Sequence, residues 1–266
     1  MRAAMSPVWS GANEPLTQKL APSIPLAAHE IKLLMDWQSA TRLVPRGQQI
    51  IVEGKASQTL FIVIEGIAIR YRILRDGGRH VLNVLLPGDI AGVPGCFFET
   101  ALYSVRTISN ARIAPIPIAQ IIKLFHTHPQ LAAKIFWWFS CEAAICAEHL
   151  IAVGRRTALE RVGHFLLELL TRLQAARLAD ERSFRLPLTQ ELIADALGLS
   201  IPYVNKILCN LRDDDLVCIK DKVVVINDVE ALSTLVDFDH SYLKPLSIRE
   251  LLNEAADSRR RLSSGR

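Results

Sequence analysis

The segment that decides the fold runs from Thr189 to Leu211 and reads TQELIADALGLSIPYVNKILCNL. Thr189 can cap a helix, because its hydroxyl can accept a hydrogen bond from a backbone N–H of the first turn. Gly198 predicts the end of that helix, since glycine adopts positive φ at little cost. Ser200 then caps a second helix, and Pro202 fits into its first turn. Two helices joined by so short a turn are typical of a helix-turn-helix.

The apolar positions of this segment support two crossing helices. Ile193 and Leu197 share one face of the first helix, and Ala194 is small where a second helix must cross closely. The predicted buried stripe of the second helix comprises Val204, Ile207, Leu208 and Leu211. These spacings follow the helical period, so we expect both helices to bury one face against a common core.

A β-hairpin is predicted directly after the second helix. Leu216–Ile219 and Val223–Ile226 are β-prone runs on either side of a tight polar turn at Lys220 and Asp221. Arg185–Leu188 precedes the helices and can supply an adjoining strand. The sequence therefore predicts a winged helix-turn-helix rather than a bare pair of helices.

The outward face of the second helix carries the candidate DNA contacts. An Asn side chain can pair with adenine N6 and N7, and a Lys ammonium can donate to guanine or to phosphate. The N-terminal half of a recognition helix enters the major groove, which favours contact with DNA over mere solvation. The acidic run Asp213–Asp215 would repel phosphate, so we expect it at the helix end, away from the duplex. The predicted DNA-binding residues are Thr189, Gln190, Ser200, Tyr203, Asn205, Lys206 and Asn210.

The first half of the chain has a different pattern. From Leu43 to Pro117, short β-prone runs alternate with turn signals such as Pro87-Gly88-Asp89. Many short strands at regular spacing favour an antiparallel, jelly-roll-like β-roll over a parallel sheet, and the predicted fold class is α+β. The predicted divisions are a flexible N-terminal arm (1–25), a β-roll sensor domain (26–128), a dimerisation helix (129–153), a winged helix-turn-helix domain (154–235) and a C-terminal extension (236–266).

Between the two halves, residues 129–153 contain neither Gly nor Pro after Pro129. Their apolar positions are spaced alternately four and three residues apart, which is the heptad pattern of a coiled coil and predicts a dimer. The alternative is a helix packed on its own domain, which Trp137 and Trp138 beside the seam would allow. Gly154 then interrupts the pattern and predicts a hinge. The predicted dimer seam comprises Ala132, Phe136, Phe139, Ala143, Cys146, Leu150 and Val153.

Composition and charge narrow the classes of protein. Half of the 266 residues are hydrophobic and the net charge is +4, but residues 154–266 carry 17 Lys and Arg against 17 Asp and Glu. Bulk charge therefore does not mark the C-terminal half as a nucleic-acid binder, and that prediction depends on local pattern. The sequence contains no apolar run of about 18 residues, so it predicts no membrane span. It also lacks the apolar h-region of a signal peptide, and we therefore expect a cytoplasmic protein without a membrane partner.

The motifs give no support for catalysis or metal binding. The sequence contains no Walker-type loop, no Gly-x-Ser-x-Gly and no His-Glu-x-x-His, so we predict a non-enzyme without catalytic residues, metal or cofactor. The five cysteines form no Cys-x-x-Cys pair and are expected to be reduced and mostly buried. Cys146 falls on the predicted seam, where packing is favoured and a redox role is the alternative.

Three motifs carry a family resemblance: FIVIEG at 61–66, LPGD at 86–89, and LIADALGLS at 192–200 followed by VNKIL at 204–208. Together they make the chain from about residue 24 to 235 similar to the Crp/Fnr superfamily of bacterial transcription regulators. The first two motifs resemble its cyclic-nucleotide-binding β-roll, and the last resembles its recognition motif, with Lys206 where Arg is common. The resemblance implies a homodimer that binds palindromic double-stranded DNA and contacts RNA polymerase. The alternative function is a cyclic-nucleotide-binding regulatory module that does not read DNA.

The effector pocket implied by this resemblance departs from the cyclic-AMP-binding pattern. In cyclic-AMP-binding members, a Gly-Glu pair holds the ribose, and a later Arg-Ser or Arg-Thr holds the phosphate. The corresponding residues here are Gly92-Val93 and Tyr103-Ser104. Val93 cannot accept from a ribose hydroxyl, and Tyr103 carries no charge to offset a phosphate. Arg106 is expected to be a solvent-facing strand residue, with a displaced phosphate ligand as the alternative. We therefore expect a degenerate pocket and an unknown small-molecule effector.

Overall fold

The computed structural model describes residues 14–20, 26–185, 187 and 189–244. Its helices are α1 Pro15–Leu20, α2 Ala28–Ser39, α3 Ile118–Thr127, α4 Pro129–Arg155, α5 Ala158–Ala175, α6 Gln190–Leu197, α7 Ile201–Asp213 and α8 Val229–Leu235. Its strands are β1 Arg42–Val44, β2 Gln49–Ile51, β3 Thr59–Glu65, β4 Ala68–Ile73, β5 Arg79–Leu85, β6 Ile90–Ala91, β7 Ser104–Thr107, β8 Ala111–Pro117, β9 Ser183–Arg185, β10 Val217–Lys220 and β11 Val223–Ile226. Two 3-10 turns span Gly95–Phe97 and Ser241–Leu243.

The N-terminal half is an antiparallel β-roll of two four-stranded sheets, which confirms the predicted fold class. The strand orders are β1-β8-β3-β6 and β2-β7-β4-β5. Side chains such as Val63, Val105 and Ile113 fill the core between the two sheets and are at most 1% exposed. Strand β3 is buried on its other face as well, because Leu60 and Ile62 pack against the helices. Burial on both faces explains why β3 is a continuous apolar run rather than an alternating one.

The prediction of a flexible N-terminal arm is wrong for residues 15–20, because these residues form the packed helix α1. Leu16 and Leu20 lie one helical turn apart and are at most 1% exposed in the core beneath the first sheet. The side chain of Gln38 fixes α1 to α2, because its oxygen accepts from the backbone N–H of Leu16 at 2.9 Å and its amide donates to Thr17 at 2.9 Å. The Pro- and Ala-rich composition hid this short amphipathic pattern. Residues 1–13 and 21–25 lie outside the described residues.

The C-terminal half contains the predicted winged helix-turn-helix. The wing pairs β10 with β11, and β9 adds a third antiparallel strand to β11. The turn falls on Asp221 and Lys222, one residue later than predicted, and both have positive φ (51° and 65°). Two left-handed residues form the type I′ turn that suits the twist of a two-residue hairpin. The adjoining strand is Ser183–Arg185 rather than 185–188, and residues 186 and 188 lie outside the described residues.

One cluster of buried apolar side chains joins the β-roll to the C-terminal half. It runs from the outer face of the second β-roll sheet, including Ile69 and Val81, to Phe165 on α5 and Val204 on α7. The predicted C-terminal extension belongs to the same packing as far as residue 244, because Val236 is fully buried. The predicted boundary at residue 236 is therefore too early, because the apolar side chains after α8 pack against residues that are distant in the sequence. Residues 245–266, with the basic run 259–261, lie outside the described residues.

The break between α4 and α5 lies two residues later than Gly154, where the hinge was predicted. Helix α4 continues through Gly154 and ends at Arg155, after which Arg156 adopts extended φ and ψ (−82°, 147°). Thr157 then caps α5, accepting from the backbone N–H of Glu160 at 3.3 Å while the Glu160 carboxylate accepts from Thr157 at 2.7 Å. This reciprocal capping box sets the break, because it fixes the start of α5 more strongly than a single glycine ends α4.

Candidate DNA-binding face and sensor pocket

Capping and turn chemistry hold α7 at a steep angle to α6. Thr189 Oγ1 accepts from the backbone N–H of Leu192 at 3.2 Å, as predicted for the cap. Gly198 has φ +64° and closes α6 in the left-handed conformation that glycine adopts most readily. The chain bends by 104° between the two helices, within the usual range for a helix-turn-helix. Ser200 takes the N-cap position of α7 without a side-chain capping hydrogen bond.

The predicted buried and exposed faces of α7 are separated as expected. Val204, Ile207 and Leu211 are at most 3% exposed and anchor the helix in the core, whereas Leu208 is half-buried. Tyr203 is 48% exposed, so a large aromatic side chain stands on the open face. The seven predicted DNA-binding side chains are all exposed: Thr189, Gln190, Ser200, Tyr203, Asn205, Lys206 and Asn210.

A hydrogen bond across the two helices orients one of these side chains. Gln190 Nε2 donates to Asn205 Oδ1 at 3.1 Å. The Asn205 oxygen keeps a second lone pair and the amide nitrogen keeps its two donors. Asn205 is therefore held on the open face with the donor and acceptor that a bidentate contact to adenine requires.

The acidic run lies at the C-terminal end of α7, away from Tyr203. Arg212 and Asp213 form an ion pair at 2.9 Å, and the Asn227 amide donates to Asp215 Oδ1 at 2.8 Å. Asp215 has positive φ (55°), which turns the chain towards the wing. The contact between Asn227 and Asp215 connects the end of α7 to the segment after the wing.

Sequence reasoning missed an ion pair between the sensor and the helix-turn-helix. Arg79, at the start of β5, lies 2.6 Å from Asp195 and 3.0 Å from Glu191, both on α6. The arginine side chain is only 16% exposed, so the contact is shielded on one side from water. More than 100 residues separate the partners, and nothing in the local sequence marks them.

The interior of the β-roll is occupied by the protein's own side chains where the resemblance implies an effector. Tyr103 is 5% exposed, and its hydroxyl donates to the carbonyl oxygen of Val93. The Arg70 guanidinium lies over the Tyr103 ring, 5.1 Å from its centroid, and donates to the same carbonyl at 3.3 Å. Burial raises the pKa of Tyr103, which keeps the phenol protonated as a donor. Gly92 has φ +115°, and a Cβ there would lie 2.8 Å from Leu60.

The remaining two predicted pocket residues lie apart from this group. Ser104 Oγ accepts from the backbone N–H of Glu53 at 3.0 Å, so its hydroxyl supports the neighbouring strand. Arg106 pairs in register with Ile69, whose side chain is on the outer face of the sheet. The adjacent Val105 lies inside the roll, and alternation along a strand directs Arg106 to the opposite face. Arg106 is half-buried there rather than solvent-facing as predicted, because the outer face of this sheet packs against the C-terminal half.

A buried polar network leads from this pocket to α5. Arg70 lies 3.4 Å from the Glu142 carboxylate of α4, and the Asn83 amide donates to the same oxygen at 3.1 Å. Arg172 on α5 donates to Asn83 Oδ1 at 3.0 Å. The four residues come from four different elements, which is why spacing along the chain could not reveal them.

Arg172 is the centre of this network. It contacts Asp89 at 3.2 Å and Glu168 at 3.0 Å, while Lys19 of α1 also pairs with Asp89. Burial alone would raise the pKa of Glu168, but His149 at 2.8 Å and Arg172 lower it to about 2. Burial is likewise outweighed at Asp89, where Lys19 and Arg172 lower the pKa. Both carboxylates are therefore ionised at neutral pH and bind α1, α4 and α5 together.

His164 on α5 is a buried imidazole beside the same network. Its ring packs on those of Phe238 and Tyr242, with centroids 4.8 and 5.9 Å away. Burial, and next the Arg156 cation, lower the pKa of His164 to about 4. The imidazole is neutral at pH 7, and its protonation opposes the packing around the start of the DNA-binding half.

Helix α4 packs on its own domain with one face and exposes the other. Trp138 is 2% exposed, as the packed-helix alternative expects. Ala132 is also in that core, at 4% exposed, rather than on an open seam. Phe136 and Leu150 are 68% and 75% exposed. The other predicted seam residues are open or half-buried: Phe139, Ala143, Cys146 and Val153.

Among the described residues, α4 is long and apolar enough to span a membrane, and the bent pair α6 and α7 passes the same test jointly. The sequence alone predicted no membrane span. Lys134 and Glu30 form a buried ion pair at 2.6 Å, and Glu142 pairs with Arg70, so charged groups of α4 are bound inside the sensor. Core packing and the open seam together account for the apolar character of α4.

The cysteines are free thiols and are less buried than expected. Cys96 is buried, Cys146 is exposed, and the other three are intermediate. Within the described part of the chain, no group of three or more His, Cys, Asp or Glu side chains is placed to hold a metal ion.

Two families match the chain in the order of its two halves. The cyclic nucleotide-binding domain family matches residues 41–128, and the Crp-like helix-turn-helix domain family matches residues 160–235. This arrangement defines a transcription regulator with a cyclic-nucleotide-binding-type domain and a DNA-binding helix-turn-helix. The chain belongs to the Crp/Fnr family.

Curated and solved relatives agree with this assignment. The nitrogen fixation regulation protein FixK of Azorhizobium caulinodans is 27% identical over 194 residues, covering 71% of this chain and 76% of its own. The transcriptional activatory protein AadR of Rhodopseudomonas palustris is 27% identical over 190 residues, covering 71% and 77%. The structure of FixK2 from Bradyrhizobium japonicum has a TM-score of 0.67 and 25% identity, covering 73% of this chain and 96% of that one.

Proposed function

We propose that this regulator is a cytoplasmic homodimer that binds a palindromic DNA site through α7 and acts there on RNA polymerase. The observation that carries the proposal is the open face of α7, held at 104° to α6 with Asn205 oriented by Gln190. The proposed DNA contacts are Thr189, Gln190, Ser200, Tyr203, Asn205, Lys206 and Asn210. Base edges would be read by the first turns of α7, and the other contacts would position the helix on phosphates.

Exposed apolar side chains on α4 support the homodimer. Phe136 and Leu150 leave most of their surface in water, although the opposite face of the helix is fully packed. A second copy of the same seam would cover both side chains in the coiled-coil manner, with Phe139, Ala143, Cys146 and Val153 in register. Two-fold symmetry then requires an inverted repeat with half-sites about 34 Å apart or a multiple of it.

The signal sensed by the β-roll is proposed to be something other than cyclic AMP. A nucleotide would have to displace the Tyr103 hydroxyl from the Val93 carbonyl and would gain no ribose acceptor from Val93. Arg70 is a cation at this position, and it is already bound to Glu142. An effector, if this pocket takes one, would therefore compete with internal contacts that bind α4.

Selection of bound sequences from random duplex DNA tests this function. Purified protein should enrich an inverted repeat, equally well with and without cyclic AMP or cyclic GMP. Asn205→Ala should lose the preference for one base in each half-site, whereas Asn110→Ala, in the β-roll, should retain it. The proposal fails if no sequence is enriched, if a single half-site suffices, or if enrichment requires either nucleotide.

A further inference from the structure

We propose that a cavity between the sensor helices and the DNA-binding half binds a small amphipathic carboxylic acid. The cavity has a volume of about 480 Å³. Sites of this size accommodate small organic ligands. Its walls come from α1, the Leu86-Pro87 turn, α4, the end of α5 and the 3-10 turn at Ser241–Leu243. It lies outside the Tyr103 and Val93 pocket of the β-roll.

The walls of the cavity are largely apolar and would contact the apolar part of the ligand. Trp137 and Trp138 present two indole rings, and Ile145 and Ala175 add aliphatic surface. Aromatic walls with a few polar groups are typical of sites for small organic ligands. Thr171 and Gln18 could donate or accept hydrogen bonds within the same space.

The charges at the edge of the cavity match an anionic head group. Lys19 keeps 35% of its side chain exposed, and Lys244 is exposed at the other side. The nearby carboxylates are already bound, since Asp89 is fully buried with Lys19 and Arg172, and Glu142 is held by Arg70. Because Lys19 is itself bound to Asp89, the accessible positive charge at the edge is that of Lys244, and a carboxylate would gain a charge-assisted hydrogen bond there.

The position of the cavity gives such a ligand a way to affect DNA binding. Glu142 lies in its wall and also contacts Arg70 in the β-roll, while Arg172 and Ala175 belong to α5 of the DNA-binding half. A ligand that touches both halves at once favours the arrangement in which they are packed. This proposal does not depend on dimerisation or on the base contacts of α7, so the two sets of experiments fail independently.

Fluorescence titration with 8-anilinonaphthalene-1-sulfonate, an aromatic anion, tests the site on the full-length protein. We expect one saturable site per chain. Ala175→Phe fills the cavity and should weaken binding by about tenfold or more. Lys244→Glu reverses a charge at the edge and should weaken it by about fivefold. The matched controls Ala231→Phe on α8 and Lys222→Glu in the wing should bind the probe as the wild type does.

The charge requirement is tested by displacement of the bound probe. 1-Naphthoate should displace it, and 1-naphthalenemethanol, which has a similar ring without the carboxylate, should be at least about tenfold weaker. The proposal is overturned if the wild type shows no saturable site, if Ala175→Phe binds the probe unchanged, or if the neutral compound displaces it equally well.

Discussion

At position 206 a lysine stands one residue after Asn205 and two after the buried Val204, on the exposed side of α7. If Lys206 reads a base edge, Lys206→Ala should cost about 1–3 kcal/mol on the specific site and relax preference at one position per half-site. We expect this outcome, because the C-terminal half has no surplus of positive charge for indiscriminate binding. Competition binding against singly altered half-sites measures it.

A phosphate contact would give a different result for the same variant. The loss would then be similar on every sequence, and the dependence of affinity on salt would fall by about one counterion. Lys123→Ala, an exposed lysine on α3, should leave both measurements unchanged. A uniform loss for Lys206→Ala would contradict base reading.

His164 makes the protein sensitive to acid in a definable window. Its pKa is about 4 in the folded protein and near 6.5 when unfolded, so the unfolded chain binds the extra proton between these values. Stability therefore falls as pH decreases from 6.5 to 4. His164→Phe keeps an aromatic ring beside Phe238 and removes this proton, which should reduce the steepest slope by about 1.4 kcal/mol per pH unit.

Urea unfolding at pH 4 to 7 measures this difference. The neighbouring groups His149, Glu168 and Glu148 are present in both proteins, so the difference reports the His164 proton together with its coupling to them. His126→Phe, an exposed histidine on α3, should leave the slope unchanged. An equally steep loss of stability in His164→Phe would show that this imidazole is not the source.

At the scale of the elements, α4 offers a direct test of the dimer. Phe136→Glu should leave the fold intact, since this side chain is 68% exposed, but should place like charges on the seam. Light scattering at micromolar concentration should give about twice the 29.6 kDa chain mass for the wild type and the single mass for the variant. Phe125→Glu on α3, where Phe is 61% exposed, should remain dimeric. A monomeric wild type, or a dimeric Phe136→Glu, would exclude this seam.

The helices and strands differ in how far the sequence alone could predict them. Thr189, Gly198 and the short β-prone runs between turn residues act through neighbours in the chain, so caps, turns and fold class followed from local pattern. Helix α1 was missed because its two leucines are surrounded by residues typical of a loop. The contacts of Arg70 with Glu142 and of Arg172 with Asn83 span more than 70 residues, and only the packed fold brings these side chains together.

At the scale of the whole molecule, the ion pairs of Arg79 connect the β-roll to α6 of the helix-turn-helix. Arg79→Ala would leave Asp195 and Glu191 without this partner and weaken the docking of α6 on β5 by about 1 kcal/mol, given the partial exposure of the acidic groups. Hydrogen exchange at the α6 amides should then be about fivefold faster, if these amides exchange by local opening. Arg75→Ala, an exposed arginine of the same hairpin, is the control and should not change it. Unchanged exchange in Arg79→Ala would mean that apolar packing alone holds α6.

The apolar cluster that runs from Ile69 and Val81 to Phe165 also limits how freely the two halves can be exchanged between relatives. A chimaera that joins this β-roll to the winged helix-turn-helix domain of another regulator would bring together two surfaces that are not complementary in shape. Mismatched interiors leave voids or overlaps, each costing about 1–3 kcal/mol per affected side chain. Promoter preference is therefore better transferred by substituting residues on the solvent-exposed face of α7 than by exchanging the whole domain after α4.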